Sequence, residues 1–286
     1  MTEQIKAIDT VVNIWTAEAL VGRPDRRAFY EKMRMPAELH EGISLQLMLE
    51  RMDAAGIERA MLIAAKVGIK AHPSCYHVPY EVVRDAINKY PDRFYGLAGI
   101  DPTEGMKGVA EFERAVAEYG FIGAHGYPHW FELAPDHARW YPYYAKCVEL
   151  GVPIQLQVGQ SMIYDRNYPR RSVARPITLD SVACDFPDLK LIGIHVGIPW
   201  TDEMIAMAWK HPNVYISCDA HSPAYWPESF VKYIDSYGQD KVMFGTDYPI
   251  LRFDRTRAEI DALKLRPVPM RKLMRENAVR VYGLAV

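Results

Sequence analysis

The sequence predicts an α/β fold: a single (β/α)8 TIM barrel, distorted, with a long loop after the first strand. Three observations carry this expectation. Short β-branched or aliphatic runs alternate with helical patterns eight times along the chain. No Pro/Gly/Ser-rich linker or shift in composition interrupts them, so residues 1–286 read as one barrel domain. No GxGxxG follows the first strand and no P-loop occurs anywhere, which ranks a doubly wound nucleotide-binding sheet second.

The first strand spans Ala7 to Asn13. The segment from Ile14 to Gly42 then reads as an irregular loop, whose aromatics (Trp15, Phe29, Tyr30) and prolines (Pro24, Pro36) suit a cover over a site. Ser44 to Ala55 carries Leu45, Leu47, Met48, Leu49 and Met52 at helical spacing, and Ala60–Ala65 is the second strand. Helices over 80–89 and 106–119 precede strands over 94–100 and 121–125 respectively. Helices over 141–150 and 179–186 lead to strands over 153–157 and 189–195. Helices over 203–209 and 230–237 precede strands over 214–217 and 242–245, and two further helices end the pattern.

Composition narrows the function classes. The chain is 49% hydrophobic and 24% charged with net charge −2, and no basic run or single-sign block suggests nucleic acid or a membrane surface as partner. Cys75, Cys147, Cys184 and Cys218 show no CxxC spacing and read as free thiols of a reducing compartment. The residues from Met1 to Lys6 show no apolar leader pattern, and no run approaches about 18 apolar residues, so the expectation is a cytoplasmic protein.

Strand ends of a barrel converge on one pocket. The first strand delivers Asn13, with Asp9 earlier in it. The fourth delivers His125, followed by Tyr127 and His129. The fifth ends in Gln157, the sixth in His195, and the eighth runs through Gly245-Thr246 to Asp247. Loops add Arg166, Arg170, Arg171, Arg252 and His221. Each has an ordinary structural explanation as well: Asp247-Tyr248-Pro249 is good turn chemistry, and Arg170-Arg171 suits a solvated loop pair.

Several stretches carry a family resemblance: Leu191-Ile192-Gly193-Ile194-His195-Val196-Gly197, Met243-Phe244-Gly245-Thr246-Asp247-Tyr248-Pro249, Glu149-Leu150-Gly151-Val152-Pro153-Ile154, and the closing Glu276-Asn277-Ala278-Val279-Arg280-Val281-Tyr282-Gly283-Leu284. These resemble the amidohydrolase superfamily. The likeness is to the amidohydrolase-2 branch, which holds aminocarboxymuconate-semialdehyde decarboxylase, resorcylate decarboxylases and pyrone-dicarboxylate lactonase. The resemblance implies a divalent metal held by an Asp-x-His-x-His frame on the first strand and a histidine on the fifth. Val11, Asn13 and Gln157 occupy those three histidine positions here. A valine offers no lone pair and amides are poor zinc ligands. The expectation is therefore no tightly bound metal and no cofactor, with at most weak magnesium, manganese or zinc at His195 and Asp247.

Three functional readings follow from the resemblance. The leading one is a metal-independent hydrolase of a small carboxylate-bearing lactone or ester. In it Asp247 is general base, His195 and His125 polarise the carbonyl, and Arg252 and Arg166 hold a substrate carboxylate. Asn13, Gln157, Tyr127 and His129 complete the substrate pocket. The alternative is a decarboxylase or other lyase of an aromatic or dienoic acid with a weakly bound divalent metal and Asp247 or His195 as proton donor. The third is a binding barrel without catalysis. Family habit implies a homo-oligomer.

Overall fold

The computed structural model of the protein describes residues 5–285. Met1–Gln4, part of the stretch read above for a leader pattern, lie outside the described residues. Eight parallel strands form the barrel: β1 (Ala7–Asn13), β2 (Ile57–Ala64), β3 (Phe94–Ile100), β4 (Gly123–Gly126), β5 (Ile154–Gln157), β6 (Leu191–Ile194), β7 (Val214–Ser217) and β8 (Val242–Met243). Each pairs with the next in sequence order. The strands are apolar with few alternations because both faces are covered, one by the barrel interior and one by the helices.

The distortion lies where β8 meets β1. β8 has only two residues, and β1 slips register against β2 between Asp9 and Val12. Closure rests on backbone bonds from Thr10 N to Phe244 O (3.0 Å), from Asp247 N to Val11 O (2.8 Å) and from Asn13 N to Tyr248 O (3.0 Å). The Asp9 carboxylate supplies the rest. It accepts from Thr246 N (3.0 Å), Thr246 Oγ1 (2.6 Å) and Val11 N (3.1 Å), so a side chain does the work of a missing ladder bond. Asp9 thus works on the backbone of the seam, beside the site. Burial pushes its pKa up to about 8, while those three donors and no acceptor favour the ionised form.

The segment after β1 is less irregular than its sequence suggests. It holds a helix over Arg27–Lys32 and a 3-10 turn over Ala37–Leu39. Trp15 is buried at its start and donates from its indole to Leu39 O (2.5 Å), which folds the segment back over the barrel mouth. A short antiparallel pair, Lys66–Val67 with Tyr76–His77, follows β2 on the same side. It leaves β2 close against β3, and a side-chain carbon at Gly99 would collide with the Ala64 carbonyl and Lys66 amide. Only glycine fits there.

The helices follow the predicted pattern with shifted ends. Ser44 caps the helix over Leu45–Ala54 by accepting from Leu47 N (3.1 Å). The helix over Tyr141–Leu150 stops at Gly151, whose φ of 69° ends it in the left-handed conformation that leads into β5. This helix buries Tyr143 and Tyr144, whose hydroxyls donate to Asp101 O (2.8 Å) and Pro135 O (2.7 Å). Among the described residues no helix is long and apolar enough to cross a membrane.

Candidate active site

The C-terminal strand ends open on a cavity whose wall includes Asn13, Tyr127, His129, Gln157, His195, His221 and Asp247. Aromatics from the covering segments, Trp15, Phe29, Tyr76 and Trp130, line it as well. Most of the polar residues picked from strand ends therefore meet. His125 is the exception, because it lies fully buried in the barrel interior. Its Nδ1 is 2.8 Å from Gln155 Oε1. Gln155 spends its amide hydrogens on Thr10 O (2.7 Å) and on the Tyr282 hydroxyl (2.6 Å), so its oxygen is the acceptor and His125 Nδ1 carries the proton. The Nε2 lone pair is left without a partner. Gln155 was not singled out in the sequence, since an interior glutamine on an apolar strand carries no motif.

At the bottom of the cavity His195, Asp219 and Asp247 form a triangle whose donor atoms all lie within 4.8 Å of one another. His195 Nε2 is 3.3 Å from Asp219 Oδ2 and 3.9 Å from Asp247 Oδ2. The backbone is bent to bring them there. His195, Val196, Ala220 and Asp247 all adopt positive φ (66°, 58°, 62° and 55°), a conformation costing each L-residue of order 1–3 kcal/mol that persists only where surroundings hold it. One of those holds is the Asp219 carboxylate, which accepts from His195 N at 3.1 Å. Asn13 turns its amide hydrogens on Asp247, donating to Oδ1 at 2.8 Å and to Tyr248 O at 3.0 Å.

Asp219 is the residue the strand-end survey missed. It follows Val214–Ser217 through Cys218, so the same strand-end logic applied to β7 finds it. Its side chain is fully buried, and its Oδ2 and His195 Nε2 are buried atoms without hydrogen-bond partners. Burial raises the pKa of both carboxylates, and the charge of Asp219 raises that of Asp247 further. Burial, then neighbouring imidazoles, lowers the pKa of His195 well below the usual histidine value, so the ring is neutral. Two carboxylates that repel one another beside a neutral imidazole with an unpartnered nitrogen offer the donor atoms that a divalent cation takes.

His129 and His221 are also held neutral, with pKa lowered to about 4 by burial, as is His125. These shifts set a pH dependence. Between about pH 4 and the unfolded histidine value of about 6.5 the unfolded chain binds more protons at these three positions, so their contribution to stability rises with pH across that window and is fully present above it. Buried Asp9 and Asp219 contribute in the opposite sense, since their raised pKa values make the folded chain bind more protons there. In urea titrations of chelated protein at stepped pH, His129→Asn is expected to flatten this slope relative to the parent. An unchanged slope would mean His129 is not held neutral.

The arginines differ from expectation. Arg166 is exposed and outside the cavity wall, and Arg252 is exposed and paired with Asp254. Both lie in loops that follow strand ends, whereas the guanidinium groups at the cavity come from the covering segment: Arg23 and Arg26 line it.

Comparison with known proteins sharpens this picture. The gamma-resorcylate decarboxylase of a Rhizobium species is 23% identical over 285 residues, covering 82% of this chain and 86% of that protein. An uncharacterized TIM-barrel protein from Bordetella bronchiseptica is 28% identical with a TM-score of 0.80, covering 97% of this chain and 98% of that one. The 5-carboxyvanillate decarboxylase from Novosphingobium aromaticivorans, crystallised with manganese and 4-hydroxy-3-methoxy-5-nitrobenzoic acid, superposes with a TM-score of 0.72 at 20% identity, covering 99% and 100%.

The expectation of no metal is thereby corrected. Counting only the positions vacated by Val11, Asn13 and Gln157 overlooked Asp219, which adds a buried carboxylate to His195 and Asp247, and a structural neighbour carries manganese. The amidohydrolase family model matches residues 8–284, and the chain belongs to the amidohydrolase family.

Proposed function

We propose that the protein is a metal-assisted decarboxylase of a small aromatic or dienoic acid. The observation that carries this reading is the buried His195–Asp219–Asp247 triangle at the foot of an aromatic-lined cavity. The decarboxylase relatives support it over the hydrolase reading, which had been built on the absence of a metal. His195 and Asp219 would hold a divalent cation with Asp247 at the third corner, and the bound cation supplies charge neutralisation to the substrate carboxylate and to negative charge developing beside it.

The chain's own residues do the remainder. Trp15, Phe29, Tyr76 and Trp130 offer flat apolar surface to an unsaturated acid and keep water from it. Asp247 is the acid nearest the substrate: its side chain is 17% exposed where that of Asp219 is wholly buried. The bond from Asn13 fixes one of its oxygens, which leaves the other to carry a proton toward the substrate. Asp247 transfers its proton to the carbon bearing the carboxylate. The carbon–carbon bond then breaks, its electron pair returns to the unsaturated system, carbon dioxide leaves, and the Asp247 carboxylate is reprotonated from water.

The direct test is carbon dioxide release from a panel of hydroxybenzoic and dienoic acids by the manganese-loaded protein, beside a panel of lactones and carboxylate esters. Decarboxylation that stops on chelation and returns with manganese is the expected result. Ester or lactone hydrolysis without carbon dioxide release would overturn the reading.

A further inference from the structure

Three guanidinium groups gather without carboxylate partners where the covering segments meet the cavity: Arg23 and Arg26 line its wall, and Arg170 lies against Trp130 of the same wall. Arg23 lies with Cζ 4.1 Å from the Trp15 ring centre and 4.8 Å from that of Tyr76. Its Nε and Nη1 are buried and donate to no partner among the described residues. Arg26 and Arg170 both stack on Trp130, at 4.5 Å and 3.5 Å. Arg26 donates to Ser74 O (3.4 Å) and Arg170 to Ser74 Oγ (3.3 Å), and Arg170 Nη1 is buried and unpartnered.

No carboxylate among the described residues lies within 4.0 Å of any of the three. Two acids act on the cluster without pairing with it: the charge of Asp165 reaches Arg26 and Arg170 and that of Glu132 reaches Arg170, while Glu132 pairs with Arg171 and Asp165 Oδ1 accepts from Asn167 N and Tyr168 N. Arg26 feels the repulsion, its pKa being lowered to about 10 by burial and then by Arg23 and Arg170. Three like charges held together on aromatic faces, with hydrogen-bond capacity unspent, destabilise the protein unless an anion joins them. Planar guanidinium groups so placed match a carboxylate. Arg23, Arg26 and Asp247 line one and the same cavity, so a small molecule held in it meets both the arginines and the carboxylate end.

We propose that Arg23, Arg26 and Arg170 form a second anion subsite, and that the substrate is a di- or tricarboxylic acid whose carboxylates engage both ends of the cavity. The placement of the first carboxylate rests on the proposed function. The second subsite stands on the arginines alone, and binding tests it without turnover.

Calorimetric titration of the manganese-loaded protein with 2-hydroxybenzoate, 4-hydroxyisophthalate and 2-hydroxyterephthalate at low ionic strength reads the subsite directly. At least one dicarboxylate is expected to bind about tenfold or more tightly than 2-hydroxybenzoate. Arg26→Gln and Arg170→Gln, each checked for folding by circular dichroism, are each expected to erase that preference by weakening dicarboxylate binding about tenfold or more. Dicarboxylates that bind no better than 2-hydroxybenzoate, or a preference that survives in both variants, overturn the subsite. Repeating the 2-hydroxybenzoate titration after chelation reports separately on the metal end: affinity indifferent to manganese counts against the proposed function and leaves the arginine result standing.

Discussion

Asp247→Asn is expected to lower kcat for decarboxylation by about a thousandfold, within the range of 10²–10⁴ typical of a positioned proton donor. The amide has no acidic proton to give. The substitution is nearly isosteric, and the left-handed turn at Asp247 is held by backbone bonds from Asp247 N to Val11 O and from Ile250 N to Asp247 O, which the variant keeps. Asn13 still finds an acceptor if the new amide presents its oxygen, as the Asp247 carboxylate does now at 2.8 Å. Binding of a dicarboxylate at the arginines is therefore expected to survive while turnover is lost. Initial rates of carbon dioxide release beside calorimetric binding separate the two. A variant within about tenfold of the parent in kcat would show that the proton comes from elsewhere, His195 being the nearest other candidate.

The second large effect belongs to Asp219. Asp219→Asn is expected to weaken manganese binding by about a hundredfold or more, exceeding the 10–100-fold typical of residues that merely orient a ligand. The substitution isolates charge from architecture. An amide oxygen still accepts from His195 N, now at 3.1 Å from the carboxylate, so the strained turn at His195 and Val196 keeps its hold. Removing the buried negative charge also relieves Asp247, whose pKa it raises, so the variant is expected to unfold at no lower temperature than the metal-free parent. Titration with manganese followed by electron paramagnetic resonance of the free ion measures the affinity. Parent-like affinity together with a parent-like melting temperature would remove Asp219 from the cation site.

These effects depend on residues of unequal visibility in the sequence. His195 stands at the end of an apolar run and Asp247 just past one, after Gly245-Thr246, positions that betray them because a buried strand delivers a polar side chain only where it emerges. Asn13, Tyr127, His129 and Gln157 reach the cavity for the same reason. Asp219 was as accessible to the same logic, two residues past the end of β7, whereas Arg23 and Arg26 lie in a segment whose aromatics and prolines suggested only a cover. The losses at Val11, Asn13 and Gln157 were equally plain, but reading them as loss of the metal assumed that ligands come from vacated positions alone.

The sequence by itself determined the barrel, its strand order and most of the polar residues at its mouth. Strand and helix periodicity are local properties, and eight βα units in one alternation leave few ways to close. Only the tertiary structure decided which charges meet. His195 and Asp219 come together because β6 and β7 are neighbours and because their ends turn through left-handed residues no pattern announces. Arg23 and Arg26 converge with Arg170 because Trp15 folds the covering segment over the mouth and Trp130 offers a face for stacking. Side-chain encounters between distant segments depend on the packing of the whole chain, and local periodicity carries no information about them.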